Sequence, residues 1–230
     1  MVKAKVKEFF VSIQGEGPYV GYKQLFIRFC RCNLNCMYCD TEFKADTSTK
    51  EYTPQELLVA IKKLDLTGVH SISLTGGEPL LDVGFLKEFL PLLKAEKIGQ
   101  IYLETNATLF ENYLEIAPWI DIVSADIKLP SATGINGLSE KHDKFFALCA
   151  HKDCYVKIVF DSKITYEEIV ETCSLARKYG FEIVLSPMMI GRKMSVDSAF
   201  VSKVFDEYLK CYNRVRVIPQ VHKFIGVEWS

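Results

Sequence analysis

Short apolar segments alternate with amphipathic segments along most of the chain. The apolar segments are rich in β-branched and aromatic residues, which is typical of strands. They cover residues 6–13, 24–29, 71–75, 101–104, 120–125, 155–160, 181–185 and 215–218. These eight segments are predicted to be strands, and the stretch between 125 and 155 is interpreted as a looser segment.

Helix-start signals and helical periodicity mark the intervening segments. Thr53-Pro54-Gln55-Glu56 combines a capping box with proline at the first helical position, and Thr165-Tyr166-Glu167-Glu168 is a second capping box. The helix after Thr165 is predicted to stop near Gly180. Amphipathic helices are also predicted over 83–95 and from Ser195 to Tyr212.

Strands that alternate with helices favour parallel pairing with right-handed crossovers, hence a barrel or partial barrel. A doubly wound open sheet fits the alternation nearly as well, although no G-x-G-x-x-G follows the first strand. In a parallel barrel, ligands gather at the C-terminal strand ends. Polar or glycine residues fall there at Arg28, 76–78, Asn106, Asp126 and Lys128. The pattern therefore predicts one site at that edge.

Size and charge limit the classes of function. A chain of 230 residues suits one large domain, and no repeat or Pro/Ser/Gly-rich linker divides it. The net charge of -1 gives no electrostatic footprint for nucleic acid or an anionic membrane. No apolar run approaches the ~20 residues of a membrane helix, and no signal-peptide core follows the N-terminus. We expect a cytoplasmic protein with a small-molecule substrate.

Three cysteines in one short stretch carry the strongest chemical signal. Cys32, Cys36 and Cys39 have the spacing C-x3-C-x2-C. Three thiolates can hold three irons of a [4Fe-4S] cluster and leave the fourth iron open to a ligand. The alternatives are a zinc site completed by Cys30 or a distant residue, or buried free cysteines. The other cysteines share no repeated spacing and are expected to be reduced and mostly buried, namely Cys149, Cys154, Cys173 and Cys211.

This spacing resembles that of the radical S-adenosylmethionine (SAM) enzymes. The resemblance implies that the amino and carboxylate groups of SAM chelate the open iron and that SAM is cleaved to a 5'-deoxyadenosyl radical. Gly76-Gly77-Glu78-Pro79, one helix and one strand later, is similar to the SAM-binding element of these enzymes. The implied fold is α/β, a partial (β/α)6 TIM-type barrel with N- and C-terminal additions.

Further motifs resemble the 7-carboxy-7-deazaguanine synthases of deazapurine biosynthesis, and they run from end to end of the chain. They are Ser12-Ile13-Gln14-Gly15-Glu16-Gly17, Phe26-Ile27-Arg28, Cys39-Asp40-Thr41, Glu104-Thr105-Asn106, Asp126-Ile127-Lys128 and Pro219-Gln220-Val221-His222-Lys223. Two positions depart from the family pattern, since Arg31 and Ala107 stand where the family usually has glycine.

The resemblance implies roles residue by residue, with no general acid or base because the radical comes from SAM. The [4Fe-4S] cluster would be held by Cys32, Cys36 and Cys39, and Mg2+ by Thr41. The substrate would meet Ile13, Gln14, Gly15, Glu16, Arg28, Thr75 and His222, with Arg28 at its carboxylate. SAM would meet Tyr38, Gly76, Gly77, Glu78, Asn106, Asp126, Ile127, Lys128 and Gln220.

The implied activity is that of a carbon-nitrogen lyase. It would convert 6-carboxy-5,6,7,8-tetrahydropterin to 7-carboxy-7-deazaguanine with loss of ammonia, as in the supply of queuosine- or archaeosine-type tRNA modification. The family suggests a homodimer reduced by a donor such as flavodoxin or ferredoxin. A single radical SAM domain is expected, with its core at about 20–190, a substrate loop within 1–19 and an extension at 191–230.

Two other readings of the sequence stay open. A glycyl-radical activase has a similar length and the same cysteine spacing, but its substrate is a protein glycine rather than a small molecule. A metal-binding interaction module with a zinc knuckle would need neither Gly76-Gly77-Glu78-Pro79 nor polar residues at every strand end.

Overall fold

The structure, a computed structural model, describes residues 2–39, 45–47 and 49–227. The strands are β1 Ala4–Ile13, β2 Lys23–Phe29, β3 Lys50–Tyr52, β4 Ser71–Gly76, β5 Gln100–Thr105, β6 Ile122–Ile127, β7 Asp153–Phe160, β8 Glu182–Pro187, β9 Met189–Ile190, β10 Lys193–Met194 and β11 Val215–Val217. The helices are α1 Pro54–Ile61, α2 Val83–Ala95, α3 Phe110–Ile116, α4 Pro130–Thr133, α5 Ser139–Cys149, α6 Tyr166–Tyr179, α7 Ser198–Cys211 and α8 Val221–Ile225.

The main sheet has the strand order β11-β8-β7-β6-β5-β4-β2-β1-β3. Six neighbouring strands, β2 and β4 to β8, pair in parallel, and β11 extends them in the same sense. At the other edge β1 and β3 add antiparallel pairs. The α/β prediction of a six-stranded partial barrel with terminal additions is therefore confirmed, and the order of strands excludes the open-sheet alternative with a central switch in direction.

Local signals placed several helix ends correctly. The hydroxyls of Thr53 and Thr165 each accept a hydrogen bond from the backbone amide of the third helical residue, and the glutamate side chain at that position accepts one from the backbone amide of the cap residue. Gly180 ends α6 in the left-handed conformation, with φ of 74°. The bounds of α2 match the predicted range of 83–95.

Three predicted boundaries or assignments were wrong. Helix α7 begins three residues later than expected because Asp197, not Ser195, accepts the capping hydrogen bond from the Phe200 amide. Strand β6 is shifted by two residues, since a 3-10 turn engages the amide of Ile120. The supposedly looser segment contains α4 and α5, and α5 buries a stripe at helical spacing, namely His142, Phe145, Phe146 and Cys149.

Two apolar clusters support the sheet. The larger one fills the space between the outer face of the sheet and the helices. The smaller one lies inside the curved sheet and consists of Tyr102, Ile122, Tyr155 and Val184, with Tyr19 and Ile218 packed against it. These side chains fill the barrel interior as layers do in closed barrels. They leave the carboxyl ends of the strands for polar groups.

None of the eight cysteines forms a disulfide, in agreement with the reduced state expected for Cys149, Cys154, Cys173 and Cys211. Cys149 and Cys173 are buried, while Cys154 and Cys211 are half-buried. Of the helices formed by the described residues, none combines the length and apolar character that a bilayer crossing requires.

Candidate active site

A cavity of about 890 Å³ opens at the C-terminal ends of the parallel strands. Its lining joins the cysteine loop after β2, the glycines after β4, and the polar ends of β5, β6 and β7. The hairpin of β9 and β10 and the start of α8 complete the wall. The cavity is large enough for a cofactor together with a small substrate.

The three cysteines of the predicted cluster loop line this cavity, whereas Cys30 does not. Cys30 is fully buried, and its Sγ lies 3.8 Å from the hydroxyl of Thr49. Burial raises the pKa of Cys32 and of Cys36. Among the described residues, no three His, Cys, Asp or Glu side chains converge on a point that could hold one ion.

A [4Fe-4S] cluster does not require that convergence, because each thiolate binds a different iron. Three thiols in the lining of one cavity therefore fit a cluster with one open iron. Since Cys30 is buried beside Thr49 and lies outside the cavity lining, it does not complete a four-thiol zinc site with the other three cysteines.

Gly76 and Gly77 pack directly against the cysteine loop. Gly76 has a φ of 124°, and a Cβ there would lie 2.2 Å from the carbonyl oxygen of Phe29. The amide of Gly77 donates to that same oxygen at 3.2 Å, and the amide of Glu78 donates to the Arg31 carbonyl at 2.8 Å. The two glycines thus permit a backbone contact that fixes the turn after β4 on the cluster loop.

Both departures from the family's glycine pattern fall on left-handed backbone. Arg31 has a φ of 72° and Ala107 a φ of 56°. A residue with a Cβ costs about 1 to 2 kcal/mol more than glycine in this conformation. The chain therefore keeps the backbone path that glycine favours and bears the strain at both positions.

Glu78 and Asn106 connect the Gly76-Gly77 turn to the end of β5. The Glu78 carboxylate accepts hydrogen bonds from the amides of Leu80 and Asn106 and from the hydroxyl of Thr105. Burial raises the pKa of Glu78 to about 7, although these three donors act in the opposite direction. The Asn106 amide group in turn donates to the Asn33 side chain at 2.9 Å and lies 3.9 Å from Cys32 Sγ.

A chain of charged and polar groups crosses the wall of the cavity. Lys128 Nζ lies 3.0 Å from the Tyr38 hydroxyl and 2.9 Å from Asp126 Oδ2. Lys157 lies 3.6 Å from the same Asp126 oxygen and forms a close ion pair with Glu16. Burial disfavours each charge, yet the pairing holds the pKa of both lysines above the usual lysine range.

This series of paired groups ends at Glu16, in the loop that follows β1. Burial alone raises its pKa, but the charge and hydrogen bond of Lys157 and a 2.6 Å hydrogen bond from Gln220 lower it to about 2. Gln220 precedes α8, and the Val221 amide donates to the carbonyl of Gly15 at 2.8 Å. The C-terminal segment therefore holds the loop that carries Glu16 against the cavity.

A second group of polar side chains lies where β1, β2, β4 and β5 meet. Arg28 Nε donates to Glu8 Oε1 at 2.7 Å across the β1–β2 pair. Glu104 accepts three hydrogen bonds, from Gln14 and Ser73 at 3.0 Å each and from Thr75 at 2.8 Å. This end of the cavity combines a guanidinium with carboxylates, which suits a polar ring that bears a carboxylate.

Sequence reasoning did not assign Lys7, Glu8, Glu104 or Lys157 to the site, although all four line the cavity. Val6 pairs with Phe29 and Glu8 with Arg28, so Lys7 is an extra residue in β1. Such a β-bulge redirects side chains and breaks the two-residue alternation. Consecutive residues Lys7 and Glu8 can therefore both face the cavity, which the alternation did not reveal.

The cavity brings together most of the residues predicted from the sequence. The lining includes Glu16, Arg28, Cys32, Cys36, Tyr38, Cys39, Thr75, Gly76, Gly77, Asn106, Asp126, Lys128, Gln220 and His222. Of the described residues assigned a role, those outside the lining are Ile13, Gln14, Gly15, Glu78 and Ile127. Gln14 and Glu78 are fully buried beneath the lining, where they support Glu104 and Asn106. Thr41, predicted to bind Mg2+, lies outside the described residues.

Comparison with known proteins agrees with this geometry. Residues 26–199 match the model of the radical SAM superfamily, whose members use a [4Fe-4S] cluster and SAM. Full-length relatives named 7-carboxy-7-deazaguanine synthase occur in Archaeoglobus fulgidus (33% identity over 99% of this chain and 100% of the relative) and Clostridium acetobutylicum (35%, 96% and 95%). The fold is similar to the crystal structure of QueE from Escherichia coli, with a TM-score of 0.65, 19% identity, and 96% and 95% of the two chains covered. The chain is therefore a radical SAM enzyme and belongs to the 7-carboxy-7-deazaguanine synthase family.

Proposed function

We propose that the enzyme converts 6-carboxy-5,6,7,8-tetrahydropterin to 7-carboxy-7-deazaguanine with loss of ammonia, within deazapurine biosynthesis. The observation that carries this proposal is that one cavity is lined both by the three cluster cysteines and by Arg28 and Glu104. A protein-glycine activase would not need such a closed set of buried polar partners. A zinc module would not need a cavity of this size beside its thiols.

The first part of the proposal concerns the cofactors. When bound, the cluster and SAM supply a 5'-deoxyadenosyl radical that takes a hydrogen atom from the substrate. Cys32, Cys36 and Cys39 would hold the cluster. The backbone of Gly77 would meet the methionine amino group, since only glycine fits at that position. Tyr38, Asn106, Asp126, Lys128 and Gln220 would surround the rest of SAM.

The second part concerns the substrate. Arg28 would bind its carboxylate with the terminal nitrogens of the guanidinium, because Nε already donates to Glu8. Glu104 would accept hydrogen bonds from the pterin ring, while Gln14, Ser73 and Thr75 hold the carboxylate of Glu104 in place. Glu16 and His222 would close the other side of the ring. A ring fixed along two edges leaves its reacting carbon in one orientation.

Thr41 and substrate oxygens would hold Mg2+, which prefers oxygen ligands and retains waters. The product would feed queuosine- or archaeosine-type pathways, the electron would come from a flavodoxin or ferredoxin, and the active species would be a cytoplasmic homodimer. The core at about 20–190 would carry the cluster and SAM, and the segments at 1–19 and 191–230 would close the substrate end.

The decisive experiment is mass spectrometry of an anaerobic reaction that contains reconstituted enzyme, reductant, SAM, Mg2+ and 6-carboxytetrahydropterin. Loss of ammonia from the pterin, with 7-carboxy-7-deazaguanine as product, is the expected result. If 5'-deoxyadenosine forms while the pterin stays intact, the substrate assignment is wrong. A second reaction with a pterin that lacks the carboxylate tests the role of Arg28, and its rate should fall at least tenfold.

A further inference from the structure

Arg31 combines two unusual features at the position just before the first cluster cysteine. Its backbone is left-handed, with a φ of 72°, although the residue has a side chain. Its carbonyl oxygen accepts the amide of Glu78 at 2.8 Å, so the strained conformation aims this oxygen at the turn that contains Gly77. A glycine would adopt the same backbone path without strain. The presence of arginine therefore calls for a reason in its side chain.

The side chain forms an ion pair with the segment that follows the same turn. Arg31 Nη2 lies 2.5 Å from Asp82 Oδ1. The Asp82 side chain is only 8% exposed, and its Oδ2 is buried without a hydrogen-bond partner among the described residues. Asp82 immediately precedes α2 but does not cap it through its side chain. Arg31 thus supplies the charge compensation that this buried carboxylate requires.

The cluster loop is consequently tied to residues 76–82 at two separate points. One tie is the backbone contact between Arg31 and Glu78, and the other is the ion pair between Arg31 and Asp82. The Gly76-Gly77 turn, which is expected to meet the methionine part of SAM, immediately precedes the first of these ties. Two ties fix both the distance and the rotation of one segment relative to the other, whereas one backbone hydrogen bond fixes mainly the distance.

We propose that Arg31 is a positioning residue: through Asp82 it sets the cluster loop against the Gly76-Gly77 turn, so that SAM can bind the cluster and the turn together. Glycine at this position would adopt the left-handed backbone without strain, whereas arginine bears the strain and adds the ion pair with Asp82. This inference depends on the cluster and SAM but not on the identity of the substrate, so it stands apart from the proposed pterin reaction.

The test measures SAM binding to the reduced cluster by electron paramagnetic resonance in anaerobically reconstituted enzyme. Arg31→Ala and Asp82→Asn should each weaken SAM binding about tenfold, which is the effect of one charge-assisted hydrogen bond. The double variant should be no weaker than the worse single variant, because both changes remove the same pair. Arg31→Lys should recover most of the affinity. Cluster release to a chelator should be faster in the variants that bind SAM more weakly.

Arg216→Ala is the matched control. Arg216 is about as exposed as Arg31 and also forms an ion pair, with Glu182, but on strands β11 and β8 and outside the cavity lining. It should leave SAM affinity and cluster release unchanged. Arg31→Gly covers the case in which Arg31→Ala does not fold, because glycine removes the backbone strain while the ion pair is still lost. It should bind SAM as weakly as Arg31→Ala.

The proposal is overturned if Arg31→Gly and Asp82→Asn bind SAM and retain the cluster like the wild type. It is also overturned if the variants lower only the unfolding temperature of the protein, since a purely structural ion pair would do that. Independent, additive losses from the two single changes would likewise show that the pair does not act as a unit.

Discussion

A Cβ atom on Gly77 would lie 1.9 Å from the backbone carbonyl oxygen of Arg31. The next closest atoms are the Arg31 carbonyl carbon and the amide nitrogen of Cys32, so all three of the nearest atoms belong to the backbone. A flexible side chain could move away, but the peptide before the first cluster cysteine can move only with the whole loop. The requirement for glycine at position 77 is therefore one of space.

Gly77→Ala should displace the cysteine loop and prevent stable cluster assembly. We expect less than about a tenth of the wild-type iron content after anaerobic reconstitution, since the overlap is far inside van der Waals contact. Iron and sulfide analysis with the absorption spectrum of the cluster provides the measurement. Gly84→Ala is the matched control, because a Cβ there lies 3.8 Å from Val2 Cγ2 and α2 should gain up to about 1 kcal/mol. Equal cluster content in the two variants would contradict the steric argument.

The position of the site could be predicted from the sequence because parallel strands end at a common edge. Cys32 follows β2, Gly77 follows β4 and Asn106 follows β5, so their proximity is a consequence of strand order. The pairing of Glu16 with Lys157 could not be predicted in this way. These residues are 141 positions apart, and their contact depends on the path of the loop after β1 across the barrel mouth.

Lys157→Met should strongly destabilise the protein and nearly abolish SAM cleavage. The substitution leaves Glu16 and Asp126 buried beside each other without the ammonium that lies between them. Breaking a buried ion pair on one side typically costs about 3 to 5 kcal/mol. The free energy of unfolding from urea titration and the rate of 5'-deoxyadenosine release provide the readouts.

Two further variants separate this effect from a general loss of charge. Lys163→Met, at an exposed position, should change the free energy of unfolding by less than about 0.5 kcal/mol. The double variant Lys157→Met with Glu16→Gln should be more stable than Lys157→Met alone, because it removes one of the unpaired carboxylates. A double variant that is less stable than the single one would refute this account of the charge chain.

Glu104→Gln should weaken pterin binding and lower stability, even though the side-chain shape is kept. The Glu104 carboxylate accepts hydrogen bonds from Gln14, Ser73 and Thr75. A glutamine side chain has only one acceptor oxygen, so its NH2 group would face at least one of these donors. An unsatisfied buried partner costs about 1 to 3 kcal/mol. We expect a comparable loss in the free energy of unfolding and a pterin affinity lowered at least tenfold, measured by fluorescence titration.

The control for Glu104 is Glu115→Gln, which makes the same chemical change in an exposed ion pair with Lys87. Such surface pairs contribute about 0 to 1 kcal/mol, so stability and pterin binding should hardly change. If Glu104→Gln resembled Glu115→Gln in both measurements, Glu104 would be neither a structural acceptor nor part of the substrate site.

Some of the site lay outside what residue patterns can reveal. The β-bulge at Lys7 turns two consecutive side chains toward the cavity, and sequence alternation assigns them to opposite faces. The left-handed backbone of Arg31 and Ala107 is equally hidden, because local propensity assigns such conformations to glycine or asparagine. The predicted domain limits, Mg2+ site, homodimer and cytoplasmic location stay predictions.

His142 should make stability depend on pH between about pH 4 and pH 6.5. It is 2% exposed on α5, its Nε2 lies 3.2 Å from the backbone oxygen of Asn106, and burial lowers its pKa from 6.5 to about 4. The unfolded chain therefore binds a proton between these two pH values while the folded chain does not. The stabilisation is fully present above pH 6.5 and is lost as the pH falls toward 4.

His142→Gln should remove this dependence while its amide can still donate to Asn106. At pH 5 the wild type should have lost about 2 kcal/mol of its free energy of unfolding relative to the variant, compared with their difference at pH 7. Urea titrations at pH 7, 6 and 5 provide the measurement. Both proteins carry the cluster, so the effect of acid on it cancels in the difference between their free energies of unfolding. His151→Gln, at an exposed position, should keep the wild-type slope. A parallel pH dependence in wild type and His142→Gln would mean that His142 is already protonated in the fold, and the carbonyl of Asn106 would then face a cation beside the cluster loop rather than a neutral imidazole.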